Sequence, residues 1–162
     1  MSKVIANSTP LINLAKIGRF ELLQALFGQI IIPPSVWDEL VVRGADKVGS
    51  KEVGRANWIE VRRPSESALL RLLSASLDRG EAEAIALAEQ LGADLVLLDE
   101  FQGRQVATQL GLKVRGTLGL LAEGFRRTLI KDIKSELDNL VSKGTWIAPE
   151  LVDQILRSLG LK

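Results

Sequence analysis

The chain has 162 residues, 46% of them apolar, with 21 basic and 20 acidic side chains and a net charge of +1. That length and composition predict a globular chain, one domain over residues 1–162, with enough mass to bury a core. It contains no Cys, His or Tyr, which excludes disulfides, thiolate or histidine catalysis, and metal sites built on imidazole or thiolate.

Any catalyst built from this chain therefore works with carboxylates, amides, hydroxyls, Lys or Arg. The first residues lack a signal-peptide pattern, and no window approaches the roughly 18 apolar residues of a membrane span. Absence of Cys fits a cytoplasmic location.

Val4-Ile5-Ala6 is a short apolar run that reads as a first strand. Thr9 as N-cap and Pro10 at the first helical position predict a helix from Leu11, leaving Asn7 at the strand's carboxyl end. A short helix over 20–27 stops at Gly28. Ile30-Ile31-Ile32 is β-branched throughout and predicts a second, buried strand; Pro33-Pro34-Ser35 ends it and launches a helix through Leu40. Charge and glycine over 43–57 predict a loop with a short helix. Trp58 to Val61 alternates like an edge strand, and Pro64-Ser65 opens a helix with Leu69, Leu70, Leu72 and Leu73 on its buried side.

The stretch 78–107 organises the rest. Ala82, Ile85, Ala86 and Leu91 recur at helical spacing, and Gly92 is placed to stop that helix. Leu95 to Leu98 is a continuous apolar run, as in a strand covered on both faces, and a further helix follows near Glu100. Leu112 to Arg115 is a fifth strand candidate, with Thr117 capping a helix over 118–125. Ile130, Ile133, Leu137, Leu140 and Val141 mark an amphipathic helix ended by Gly144, and Pro149 opens a last one. Strands alternating with helices predict an α/β protein: a mostly parallel sheet with helices on both faces.

In such a sheet, sites form at the carboxyl ends of the strands. Asn7 ends the first strand and Asp99 the fourth, while Glu39 and Glu81 lie in early helical turns. With strands one and four adjacent, these four groups can converge. Each also has a local reading. Asp78 and Glu81 match a capping box. Ser35 and Asp38 are box-like too, which makes Glu39 a surface acid. Asp99 can cap the helix that starts at Glu100, and Asn7 can serve a turn.

Two carboxylates about 5 Å apart repel by roughly 3 kcal/mol at an effective dielectric of about 20. Three acids meeting in one cleft therefore call for a cation, and an all-oxygen ligand set suits a hard ion such as Mg²⁺. That ion can activate water and stabilise charge on a phosphodiester. Phosphate-binding glycine loops are absent. Trp37, Trp58 and Trp146 are scattered, as packing residues are. A receiver-like phosphoacceptor would need an acid pair after the first strand, and Asn7-Ser8 supplies none.

The ordered segments Val4-Ile-Ala-Asn-Ser-Thr-Pro-Leu-Ile12, Ile31-Ile-Pro-Pro-Ser-Val-Trp-Asp-Glu-Leu40 and Gly80-Glu-Ala-Glu-Ala-Ile-Ala-Leu-Ala88 are joined by three more. These are Ala93-Asp-Leu-Val-Leu-Leu-Asp-Glu100, Gly103-Arg-Gln-Val-Ala107 and Val114-Arg-Gly-Thr-Leu-Gly-Leu-Leu121. Together, along nearly the whole chain, they resemble the PIN domain, the nuclease fold of VapC-type toxins in prokaryotic toxin–antitoxin pairs. The resemblance implies a three-layer α/β/α fold, a Mg²⁺ or Mn²⁺ cofactor, an RNA substrate, a homodimer and a cognate antitoxin protein. It places the catalytic and metal-holding pocket on Asn7, Glu39, Glu81 and Asp99, with Glu83 and Glu100 as substitutes or outer partners.

Two departures stand out. The family's usual first Asp is Asn7, and the Ser/Thr that many relatives carry before the later acid is absent from Val96-Leu97-Leu98. They set a second expectation beside the nuclease: a PIN-fold RNA-binding or complex-forming protein with weak or no cleavage. Sequestering acids in one cleft would leave a basic surface, and Arg62, Arg63, Arg104 and Arg115 are the expected rim.

Overall fold

Five short strands make one sheet in the computed structural model, which describes residues 2–161. They are β1 (Val4–Ala6), β2 (Ile30–Ile32), β3 (Ile59–Val61), β4 (Leu95–Leu97) and β5 (Val114–Arg115), in the order β3-β2-β1-β4-β5. Every pairing is parallel, so the expectation of a mostly parallel sheet is met by an entirely parallel one. Ala6 lies opposite Leu97 and Ile5 opposite Ile31, which puts β1 at the centre.

Successive strand residues feed two separate cores, as the period of two requires. Val4, Ala6, Ile30, Ile32, Leu95 and Leu97 join one apolar cluster, whereas Ile5, Ile31, Val96 and Leu98 join the other. The first core is closed by α1 (Ser8–Lys16), α2 (Leu22–Phe27), α8 (Thr117–Arg126), α9 (Ile133–Ser142) and α10 (Pro149–Ser158). It also takes in α3 (Pro34–Trp37), the π-helical turn Asp38–Val42 that continues it, and α4 (Ser50–Arg55). The second core is closed by α5 (Ala68–Ser74), α6 (Arg79–Leu91) and α7 (Phe101–Gln109). The result is the expected three-layer α/β/α sandwich. Among the described residues no helix is long and apolar enough to cross a membrane.

Some local expectations shift. α1 begins at Ser8, not Leu11, with Asn7 as its extended N-cap (φ −85°, ψ 173°). Pro10 is accommodated because its missing N–H falls in the first turn, where no helical partner exists. α5 begins at Ala68, where the Ser67 hydroxyl accepts the Leu70 N–H at 3.0 Å. Leu70 and Leu73 then face the core with Leu77, and Leu72 points to solvent at 70% exposure. Thr117 is the first residue of α8 and not its cap, which matters below.

Candidate active site

The carboxyl ends of β1 and β4 lie side by side. Asn7 is anchored there by its backbone N–H, which donates to the Leu97 carbonyl at 3.0 Å, and its side chain is buried at 4% exposure. α6 starts against it. A Cβ built on Gly80 would lie 2.9 Å from Asn7 Oδ1, so any larger residue there would push the Asn7 side chain aside.

Glu81 lies in the first turn of α6. Its backbone N–H donates to Asp78 Oδ1 at 2.8 Å, so the Asp78 half of the capping box is formed. The Glu81 side chain is buried, and its Oε2 has no hydrogen-bond partner. That oxygen rests against α7, where a Cβ on Gly103 would approach to 2.6 Å. Burial is the main cause that pushes Glu81 up to about 7, followed by the hydrogen bond and charge of the Asp78 side chain and the charge of Glu100. An orphaned, desolvated carboxylate oxygen is costly in a fold that needs it only as a cap.

Asp99 follows β4 and is held from the opposite face of the sheet. Its Oδ1 accepts the Thr117 backbone N–H at 2.7 Å, and its Oδ2 accepts the Thr117 hydroxyl at 2.6 Å and Asn13 Nδ2 at 3.2 Å. Asn13 is buried in α1, and its Oδ1 accepts the Thr145 hydroxyl at 3.2 Å. That bond fixes the amide so that its donor end faces Asp99. Neither Asn13 nor the Thr117 contact was expected from sequence. The available signal was an amide on the same helical face as the buried Leu14 and Pro10 of α1.

Glu39 and Glu83 stand elsewhere. Glu39 is exposed in the π-helical turn and lines a cavity of about 260 Å³ with Ile12, Arg43 and Lys47. Glu83 pairs with Arg79 at 3.3 Å on the α5 side of α6. Glu100, the exposed N-cap residue of α7, adds its charge to that of Asp78 at Glu81. Among the described residues no group of three or more acids is placed to hold a metal ion. Glu81 and Asp99 flank the edge from opposite layers.

Over residues 3–161 the sequence matches the profile of the PIN domain. The chain belongs to the PIN domain family. No curated protein matches it. PIN domains are generally nucleases, a hydrolase class that uses divalent metals.

The donors of this PIN domain fit such an ion. All are oxygens, the preference of a hard cation. Glu81 Oε2 is buried without a partner, in a cradle that a Cβ at Gly103 would fill. A magnesium-type ion takes one or two carboxylates and several waters, so no cage of three acids is required.

The basic rim divides. Arg104 and Arg115 line a cavity of about 590 Å³ that Asp99 also borders. Arg62 is paired with Glu60 (Nε to Oε2, 2.6 Å), and it and Arg63 follow β3, the edge strand farthest from β5. The strand order, which sequence alone does not reveal, separates the two pairs of arginines.

Proposed function

We propose that this PIN domain is a metal-dependent endoribonuclease that hydrolyses RNA phosphodiester bonds, working in the cytoplasm as the toxin of a toxin–antitoxin pair. The observation that carries the nuclease reading is the buried Glu81 carboxylate, with Oε2 lacking a partner against Gly103 of α7, on a helix whose neighbouring Gly80 packs on Asn7. The toxin role, the homodimer and the antitoxin partner rest on the resemblance to VapC-type chains.

When bound, Mg²⁺ or Mn²⁺ supplies Lewis-acid activation of a water and neutralises charge on a phosphodiester oxygen. Glu81 and Asp99 would hold the ion directly or through water, and Asn7 would orient a water through its carbonyl oxygen. Burial raises Glu81 to about 7, so its carboxyl group would hold the ion after losing its proton. Thr117 and Asn13 aim Asp99 by donating to both of its oxygens. The water oxygen adds to phosphorus as a P–O bond to ribose breaks, so the products carry no 2′,3′-cyclic phosphate.

A second reading, an RNA-binding PIN domain with little or no cleavage, is favoured by the neutral Asn7 and by Asp99 already accepting three hydrogen bonds. Incubating RNA with the protein in Mg²⁺ or Mn²⁺ separates the two. The nuclease reading predicts chelator-sensitive cutting without cyclic-phosphate ends, lost in Asp99→Asn. Binding with no cutting at any metal concentration would establish the second reading.

A further inference from the structure

Four phenylalanines are present, and their fates differ. Phe20 is buried in the core, and Phe27 and Phe125 pack against it, but Phe101 is 79% exposed at the start of α7. One exposed apolar residue is ordinary in itself. Its placement is not. Phe101 lines the cavity bordered by Asp99, together with Arg104, Arg115 and Arg126.

Arg104 follows Phe101 by three residues, which puts both on one helical face. None of the ion pairs among the described residues engages Arg104, Arg115 or Arg126. Arg104 also donates to the Leu98 carbonyl at 3.2 Å, and three guanidinium groups around the one carboxylate of Asp99 leave the cavity positive. A polyanion complements it, and Ile155 of α10 adds an apolar wall.

We infer that Phe101 is a stacking platform for a base of a single-stranded nucleic acid whose phosphates lie on Arg104, Arg115 and Arg126. This rests on the nuclease reading above and adds to it the form of the substrate. Duplex bases hide their faces in the stack, whereas an unpaired base can lie flat on an aromatic ring. A strand seated this way runs along the cavity with its backbone past Asp99. Phe101 thus selects unpaired over paired substrate, and the arginines bind either.

The test uses the full chain with chelator and no metal, so that binding is read apart from cleavage. The probes are a labelled single-stranded RNA, the same RNA annealed to its complement, and an abasic strand of equal length. Wild type should prefer the intact single strand. Phe101→Ala should weaken that strand by about 5- to 150-fold, the range of one lost base–aromatic stack, and Phe101→Trp should retain affinity. The abasic strand should not distinguish wild type from Phe101→Ala. Replacing all three arginines with Gln should weaken every probe and flatten the dependence on salt. Phe101 is solvent-facing, so its variants should melt as wild type does.

If Phe101→Ala binds the intact single strand as tightly as wild type, the inference fails, and metal-dependent cutting would leave the nuclease reading standing. Strand binding that depends on Phe101 without any cutting would sustain the inference and remove the nuclease reading. Failure of every probe to bind overturns the inference, and cutting in Mn²⁺ then decides the nuclease reading alone.

Discussion

Glu81→Gln removes an ionisable group that the fold holds near neutrality, and its effect on stability can be worked out in sign and size. The carboxyl moves from an ordinary value of 4.5 in the unfolded chain to about 7 in the folded one. At about 1.4 kcal/mol per tenfold change in proton affinity, this is worth roughly 3 kcal/mol. Because the folded value is the higher, the native state holds the proton more tightly. The contribution is fully present below the unfolded value and disappears as pH rises through about 7.

Urea unfolding of the metal-free protein across this range, wild type beside Glu81→Gln, isolates the group from others that titrate there. The two should be similarly stable near pH 4 to 5. By about pH 8 the wild type should have fallen behind the variant by roughly 3 kcal/mol. Adding Mn²⁺ at the higher pH should restore the wild type and leave the variant unmoved. A stability difference that does not change with pH would refute the reasoning, because it would mean that Glu81 titrates alike in both states.

Asn7→Asp should destabilise the metal-free protein. Asn7 Oδ1 and Asp78 Oδ1 lie at most about 6.6 Å apart, being 2.9 and 3.7 Å from one point, and a charge there meets Asp78 with about 2.5 kcal/mol of repulsion at a dielectric of about 20. Melts without metal should drop, while Mn²⁺ affinity and any cleavage rate rise. Gly103→Ala should drive the Glu81 carboxylate from its seat, costing about 1–3 kcal/mol and weakening Mn²⁺ binding in a calorimetric titration. Away from the site, the Glu136 carboxylate is 8% exposed and bound by Arg19. The Arg19 side chain is 42% exposed, so solvent screens the pair and Arg19→Ala should cost about 1 kcal/mol by urea unfolding, whereas Arg19→Met with Glu136→Leu should recover most of it.

The layers of this fold were legible because apolar runs such as Ile30–Ile32 and Leu95–Leu97 are short, continuous and separated by helical periodicity. Glu81 and Asp99 could be singled out because each opens or ends an element at the edge where parallel strands finish. What sequence did not disclose is direction. Nothing local tells whether a carboxylate after β4 turns toward α6 or toward α8, and it is Thr117 and Asn13 that settle Asp99 on α8. Glu39 shows the same limit, since a π-helical turn redirects side chains in a way that helical spacing does not anticipate. The glycines are clearer in retrospect. Gly80 and Gly103, both in the first turns of their helices, mark where Asn7 and Glu81 press against backbone.

The central claim is that Glu81 and Asp99, carried by opposite faces of the sheet, act on one divalent ion. Titrating Mn²⁺ into the full chain and following free ion by electron paramagnetic resonance tests it most directly. One ion should bind per chain, and Glu81→Gln and Asp99→Asn should each weaken it by at least about 10-fold, a loss comparable to removing an outer-shell partner. The double variant should bind little worse than either single one, as for residues sharing one ligand. Wild-type affinity in Asp99→Asn, or independent losses at two separate ions, would contradict the account.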